Sequence, residues 1–183
     1  MVKLLGISGS LRKGSYNTAL LNAAMAGSSG GVSLTAGTIA GIPLYDGDLE
    51  ASEGIPPAVQ VLKDLIQQAD GVILFTPEYN NSIPGVFKNA IDWLSRPSAD
   101  IPKVFGNRPF AIVGASPGNF GTQLSQNAWL TVLHTLGVRT FSGKRLMVPK
   151  AGEAFDAQGQ LIDTAIAKRL DGFVHAFADF VKG

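Results

Sequence analysis

The sequence has 183 residues, with 45% hydrophobic and 16% charged side chains, a formal net charge of +1 and no cysteine. This length corresponds to one domain, residues 1–183, that can bury a core without disulfides, and the hydrophobic content excludes a disordered or fibrous protein. Near-neutral charge gives no reason to expect nucleic acid or an anionic membrane as a partner, and the lack of cysteine excludes thiol catalysis, iron–sulfur clusters and cysteine-type zinc sites.

Short apolar runs alternate along the chain with longer segments of helical periodicity. The runs predict β-strands at 3–8, 33–39, 71–76, 110–115 and 139–148, and the periodic segments predict helices at 16–26, 57–69, 84–95, 122–136 and 161–181. Two of the runs, 72–75 and 111–115, are apolar at successive positions, which is typical of strands buried on both faces. A strand–helix unit repeated five times predicts an α/β fold with a doubly wound parallel sheet.

The two ends of the chain add two expectations. The N-terminal apolar run is too short for a signal-peptide core, and no stretch approaches the ~20 residues of a spanning helix, so we expect a cytoplasmic protein. The last helical segment has apolar residues at three- and four-residue steps, which predicts one buried face: Ile162, Ile166, Leu170, Phe173, Val174, Phe177 and Val181.

The first strand is followed by Gly-Ser-Leu-Arg-Lys-Gly-Ser-Tyr-Asn at 9–17, leading into a helix. Glycines permit a tight turn, while hydroxyls, two cations and the N–H groups of a helix start favour an anion. Because Ser15 stands where a P-loop needs lysine, and G-x-G-x-x-G is missing, a terminal monophosphate held without metal fits better than ATP or a dinucleotide. The alternative is that Ser15 or Asn17 only caps the helix.

The third strand is followed by Thr-Pro-Glu-Tyr-Asn-Asn-Ser-Ile-Pro-Gly at 76–85. Two prolines stiffen this loop, and Ser82 is expected to cap a helix that carries Pro84 in its first turn. A stiff loop with an aromatic residue and free peptide groups can bind the edge of a flat heteroaromatic ring. The alternative is a plain turn in which Tyr79 packs over the edge of the sheet.

A third small-residue turn, at 115–122, follows the fourth strand. Ligands of open α/β sheets bind beyond the carboxyl ends of the strands, so this turn would bring its backbone and the Ser116 hydroxyl to a ligand held by the first two loops. Its alternative role is helix capping by Asn119 or Thr122.

Together these motifs resemble those of the NADPH-dependent FMN reductase family, within the flavodoxin-like superfamily. The matching segments are 9–17, 76–80 and Lys-Asn-Ala-Ile-Asp-Trp at 88–93, and the likeness covers nearly the whole chain. It is greatest to the bacterial quinone, chromate and azo-dye reductases. The resemblance implies a flavodoxin-like sheet of order 2-1-3-4-5, one non-covalent FMN per subunit and oxidation of NADH or NADPH. Electrons would then pass to a quinone, chromate or another metal oxyanion, an azo compound or free flavin.

The resemblance also implies which residues bind the cofactor. It assigns the FMN phosphate to side chains and backbone of the first loop: Ser10, Leu11, Arg12, Gly14, Ser15, Tyr16 and Asn17. It assigns the isoalloxazine edge to Pro77, Glu78, Tyr79 and Asn80, with a further contact at Ser116. Glu78 is expected to contribute its backbone, while its carboxylate meets solvent or a neighbouring subunit.

Assembly as a homodimer or homotetramer is implied in the same way. Three positions depart from the family pattern. Asn81 stands where many relatives have an aromatic residue, and Asn127 and Leu130 stand where quinone and chromate reductases carry a Tyr and an Arg at tetramer contacts. We therefore expect packing beside the flavin and subunit assembly to differ here.

Flavin chemistry needs no acid–base pair from the protein, so we assign no catalytic side chain. His134 and His175 lie in predicted helices away from the three loops and lack metal-ligand spacing, so no metal site is predicted. Two other functions are consistent with the loops. One is a flavodoxin-type electron carrier without NAD(P)H turnover, which the net charge disfavours because such carriers are usually acidic; the other is a non-enzymatic module that binds some other anion.

Overall fold

The strands form one parallel sheet in the computed structural model, which describes all 183 residues. Their order is β2-β1-β3-β4-β5, and β6 pairs with β4 beyond the end of β5. The bounds are β1 Val2–Ser8, β2 Val32–Gly37, β3 Gly71–Phe75, β4 Pro109–Ala115, β5 Arg139–Thr140 and β6 Leu146–Val148. The predicted flavodoxin-like order is confirmed. Every residue of β3 and β4 is buried, as their unbroken apolar runs predict.

Helices cover both faces of the sheet. Their bounds are α1 Tyr16–Gly27, α2 Gly47–Glu53, α3 Pro57–Gln68, α4 Gly85–Leu94, α5 Ile101–Val104, α6 Gln123–Thr135, α7 Ala151–Ala154 and α8 Thr164–Lys182. One core lies between the sheet and α1 with α8, and a second lies between the sheet and α3, α4 and α6. No helix is both long and apolar enough to cross a membrane.

The predicted fifth strand is wrong in one respect, because it is interrupted. Phe141 leaves the sheet after β5 and packs its ring against those of Phe173 and Phe177 on α8, 5.6 Å away in both cases. The chain returns to the edge of β4 only at Leu146. The strand is therefore divided just after this half-buried aromatic side chain, which packs on α8.

The predicted start of the last helix is also wrong. Asp163 is the N-cap of α8, and its Oδ1 accepts hydrogen bonds from the N–H groups of Ala165 and Ile166, both at 2.9 Å. Ile162 therefore precedes the helix and is exposed rather than part of its buried face.

Residues 42–46, which we call the strap, cross the end of α4 after β2. The carbonyl of Pro43 accepts hydrogen bonds from Asn89 Nδ2 at 2.8 Å and Trp93 Nε1 at 2.9 Å. The N–H of Tyr45 donates to Asn89 Oδ1 at 2.8 Å, and its ring lies edge-on to Trp93. Asn89 and Trp93, which belong to the 88–93 segment of α4, therefore hold the strap on the surface of this helix.

Candidate functional site

The loop after β1 leaves the sheet where only glycine fits. The Gly9 N–H donates to the Phe75 carbonyl at 2.9 Å, and a Cβ at Gly9 would lie 2.0 Å from Cδ1 of Phe87. The chain then turns through Ser15, whose Oγ accepts from the N–H groups of Asn17 and Thr18 at 3.2 and 3.3 Å. Ser15 is thus the N-cap of α1, and its O–H remains free to donate to a ligand.

The same loop presents donors and positive charge with no partner in the protein. The backbone N–H groups of Leu11, Gly14 and Tyr16 form no hydrogen bond within the chain. Arg12 and Lys13 are exposed and form no ion pair, and the Arg12 guanidinium lies 5.6 Å from the centre of the Tyr16 ring. Free N–H groups, a hydroxyl and two cations at a helix start match the chemistry of a phosphate monoester.

Asn17 makes contacts within the chain that the sequence did not predict. Its side chain is buried, with 3% exposed. Its Nδ2 donates to the carbonyl of Ala115 at 2.9 Å, and its Oδ1 accepts from the N–H of Ala115 at 2.9 Å. The carboxamide therefore ties the start of α1 to the end of β4, which leaves only the second hydrogen of Nδ2 to donate to a ligand.

The loop after β3 forms a tight hairpin. The N–H of Tyr79 donates to the Ser82 carbonyl at 3.2 Å, and the N–H of Ser82 donates back at 3.0 Å. Between them Asn80 and Asn81 have φ values of 50° and 61°, the left-handed region that asparagine tolerates best after glycine. The expected cap by Ser82 is wrong, because α4 begins at Gly85 with Pro84 as its N-cap and no side-chain cap.

The Glu78 side chain corrects a second expectation. Its Oε2 accepts from the backbone N–H groups of Leu124 and Ser125, at 2.8 and 2.9 Å. The carboxylate thus caps α6 from a half-buried position, a contact that the sequence did not predict. Thr122, the N-cap residue of α6, makes no side-chain cap bond, so the alternative of capping by Thr122 is wrong too.

The loop after β4 is held by its own hydroxyl. Ser116 Oγ donates to the Gly121 carbonyl at 2.6 Å, and the Ser116 N–H donates to Val148 at 3.0 Å. This leaves only the lone pairs of the Ser116 hydroxyl for a ligand. Phe120, between these anchor points, is 77% exposed.

The three loops meet around one open cavity of about 580 Å³, within the roughly 300–1,000 Å³ usual for small-molecule sites. Nine of the twelve residues that the sequence assigns to the cofactor line it: Ser10, Arg12, Ser15, Tyr16, Asn17, Pro77, Glu78, Tyr79 and Ser116. Leu11, Gly14 and Asn80 do not. Ala115 and Pro117 complete the wall without having been assigned, although both lie in the predicted third loop.

A buried polar network that the sequence analysis missed supports this cavity from behind. Thr76 Oγ1 bonds to Ser125 Oγ at 2.9 Å and accepts from Trp129 Nε1 at 2.9 Å. All three side chains are completely buried, and the Trp129 ring packs edge-on against Phe87. A threonine, a serine and a tryptophan far apart in the chain give no local signal of such a network.

Titratable groups with displaced pKa values lie outside the cavity. The hydrogen bond from Arg96 lowers the pKa of Glu50, against the effect of partial burial, and both residues lie near the strap. His134 and His175 lie on α6 and α8, and no group of three His, Cys, Asp or Glu side chains could hold a metal ion.

Known proteins that this chain resembles include flavin-dependent and NAD(P)H-dependent reductases. The family described as NADPH-dependent FMN reductase matches residues 2–153. An NAD(P)H-dependent FMN reductase of Pseudomonas aeruginosa is 47% identical over 162 residues, covering 88% of this chain and 85% of the relative. A quinone reductase of Escherichia coli K12 is 36% identical over 183 residues, covering 99% and 96%. The solved structure of a Paracoccus denitrificans flavoenzyme, an NAD(P)H:(acceptor) oxidoreductase, superposes with a TM-score of 0.87 at 36% identity, covering 100% of this chain and 98% of that one.

Proposed function

Because the chain belongs to the NADPH-dependent FMN reductase family, we propose that the cavity between its three loops is the FMN site of this FMN-dependent NAD(P)H oxidoreductase. The observation that carries the proposal is that the unpaired Arg12 side chain, the Ser15 hydroxyl and the unpaired N–H group of Tyr16 line one side of the cavity, with a stiff aromatic loop on the other. This division matches a ligand with a phosphate at one end and a flat ring at the other.

The phosphate end of FMN is bound by side chains and backbone N–H groups of the loop after β1. Arg12 and the Ser15 hydroxyl bind the phosphate oxygens, together with Ser10 and the free N–H groups of Leu11, Gly14 and Tyr16. Asn17 orients this loop through Ala115 rather than by side-chain contact with the phosphate. Charge-assisted bonds of this kind are the stronger ones, and they require no metal.

At the ring end the wall consists of the backbone of Pro77–Asn80, the Tyr79 side chain and the Ser116 oxygen. When bound there, FMN supplies hydride acceptance from NADH or NADPH and electron delivery to an acceptor. The protein orients the ring and leaves one face open to both substrates. We propose no catalytic side chain, since Glu78 is the only carboxylate and there is no histidine in the cavity wall, and the Glu78 carboxylate already accepts from two backbone N–H groups.

We propose a quinone as the acceptor class, as in the quinone reductase relative. Large exposed apolar residues follow the carboxyl ends of three strands, at Leu11, Tyr79 and Phe120. Such side chains suit a flat apolar acceptor better than a metal oxyanion such as chromate, which would favour positive charge. Azo compounds and free flavin are the other planar candidates.

We further propose that the chain assembles as a homodimer and works in the cytoplasm. The exposed apolar side chains around the cavity support a second copy as partner. Asn127 Oδ1 accepts from Arg145 of its own chain at 3.0 Å and Leu130 is exposed, so the two positions that depart from the tetramer pattern offer no free charge for a further contact. The lack of cysteine suits a reducing compartment.

The first test is spectroscopic. Protein loaded with FMN is mixed anaerobically with NADH or NADPH, and then with a benzoquinone. We expect the visible flavin bands to bleach with at least one nicotinamide and to return when the quinone is added. Bands that persist with both nicotinamides would support an electron carrier, and a protein that binds no FMN would overturn the proposed site.

A further inference from the structure

The carboxylate of Glu78 joins two loops of the proposed site. It projects from the β3 loop, lines the cavity, and accepts hydrogen bonds from the N–H groups of Leu124 and Ser125, 46 and 47 residues further along the chain. The other capped helices use a residue beside their own first turn, namely Ser15, Asp46 or Asp163. Only α6 is capped from a distant loop.

The reason lies in the local N-cap residue. Thr122 is fully buried, and its Oγ1 accepts from Gln126 Nε2 at 3.1 Å, so it leaves the first N–H groups of α6 unsatisfied. Glu78 satisfies two of them. Ser125 is also held through its side chain, by Thr76 Oγ1 at 2.9 Å. Thr76 and Glu78 thus both bind Ser125, one through its side chain and the other through its backbone N–H. These two bonds fix the position of Pro77 and of the loop after it.

The same carboxylate places a negative charge on the cavity wall. Glu78 forms no salt bridge, so no cation of the protein neutralises it directly. The start of a helix carries about half a positive charge, so α6 offsets only part of the negative charge of the carboxylate. Reduction of a flavin adds negative charge to its ring, and a nearby carboxylate makes that addition less favourable.

We propose that Glu78 is the positioning residue of the ring-binding wall, and that its carboxylate lowers the reduction potential of the bound flavin while the cap holds the 77–80 loop in place. The proposal rests on the proposed location of FMN in this cavity. Asp163 provides a matched control, because its carboxylate also accepts from two N–H groups, at the start of α8 and outside the cavity.

The experiment compares Glu78→Gln and Glu78→Ala with Asp163→Asn and Asp163→Ala. Three quantities are measured: the midpoint potential of bound FMN by anaerobic dye titration, the FMN dissociation constant, and the melting temperature of the apoprotein. We expect Glu78→Gln to shift the potential to more positive values while FMN binding changes less than about threefold, because the amide still accepts a hydrogen bond. Glu78→Ala should weaken FMN binding by about tenfold or more, since the cap is lost altogether. Asp163→Ala should lower the melting temperature and Asp163→Asn should change it little, because Asn caps a helix about as well as Asp, and neither variant should change the potential or the FMN affinity.

Equal potentials for wild type and Glu78→Gln, together with equal FMN affinities for Glu78→Ala and Asp163→Ala, would reduce Glu78 to a structural cap and overturn the proposal. Should Glu78→Ala fail to fold, the potential of Glu78→Gln decides alone. Failure of the proposed site is separate, because it would show as unchanged FMN affinity on loss of the Arg12 charge.

Discussion

Asn17 and Ala115 close a ring of two hydrogen bonds: the side-chain amide of Asn17 donates to the Ala115 carbonyl and accepts from the Ala115 N–H, both at 2.9 Å. The residues are 98 positions apart. The contact is buried, so neither residue can exchange its partner for water without opening the end of the sheet. The phosphate loop and the β4 loop are therefore held at a fixed separation.

Replacing Asn17 by Ala should destabilise the apoprotein by about 2–4 kcal/mol, because it leaves the buried N–H and carbonyl of Ala115 without partners. FMN affinity should fall as well, since the two loops lose their common anchor. Urea unfolding of the apoprotein and fluorescence titration with FMN measure the two effects. Asn22→Ala, at an exposed position of the same helix, is the control and should change neither quantity. An equally stable Asn17→Ala protein would contradict this account.

Loss of the Arg12 charge should act on the phosphate alone. We expect Arg12→Gln to weaken FMN binding by about tenfold to a hundredfold, the effect of one charge-assisted bond. Riboflavin, which has the same ring and no phosphate, should bind both proteins equally. Arg145→Gln serves as the control because Arg145 contacts Asn127 rather than the cavity. A parallel loss of riboflavin affinity would show that Arg12 acts on the ring or on folding instead.

Gly114 allows β4 to pass close beside β3 and the start of α6. A Cβ there would lie 2.2 Å from both the Thr76 carbonyl oxygen and Thr122 Oγ1, and the carbonyl cannot move without breaking the sheet. Gly114→Ala should therefore cost more than about 2 kcal/mol, the range for overpacked cores. Gly27→Ala meets nothing within 4 Å and should be neutral or slightly stabilising. The two unfolding curves, measured without cofactor, give the comparison.

The Lys63–Asp100 pair should make stability depend on pH. Lys63 is 1% exposed, and its Nζ donates to Asp100 Oδ2 at 2.9 Å and to the Arg96 carbonyl. The hydrogen bond from Lys63, with a smaller contribution from Lys103, lowers the pKa of Asp100. Because the folded pKa is depressed, the stabilisation is complete above the ordinary value of about 4 and is lost as the pH falls through the folded pKa.

Accordingly, Asp100→Asn should lower the free energy of unfolding by about 1–2 kcal/mol at pH 7, since it leaves a buried ammonium with weaker partners. The difference from wild type should shrink below about pH 4 as the wild-type carboxyl takes up its proton. Urea unfolding between pH 2.5 and 7 tests this. Asp179→Asn is the surface control, because Asp179 pairs with Lys182 in solvent, and its unfolding midpoint should stay close to wild type. A pH-independent difference for Asp100→Asn would be inconsistent with the pair.

The sheet and most helices follow from local patterns, because each strand and helix shows its own hydrophobic period. The unbroken runs of β3 and β4 and the alternation of strands with helices were enough to predict a doubly wound parallel sheet, whereas its strand order was implied by the resemblance to the family. The carboxyl-end rule then indicated which three loops to compare. The interruption at Phe141 could not be predicted, since it depends on α8 offering Phe173 and Phe177 as partners.

The candidate site, too, has parts that the sequence predicts and parts that it does not. Residues of the phosphate loop are adjacent in the chain, so their shared chemistry can be recognised from the sequence. The contacts that the sequence did not predict are made by side chains that bind a distant backbone, namely Asn17 on Ala115 and Glu78 on α6. Both side chains were assigned a role toward ligand or solvent because nothing in the sequence marks a partner that exposes only its peptide groups.

The strap is also held by side chains that bind its backbone, and this affects which of its residues can change during evolution. Asn89 and Trp93 bind the carbonyl of Pro43, a group that every amino acid provides. Substitutions of strap side chains can therefore leave these hydrogen bonds intact, whereas substitutions of Asn89 or Trp93 would remove them. Leu44, whose side chain is 80% exposed, is the position most open to such change, and the strap could acquire new surface chemistry there while its path stays the same.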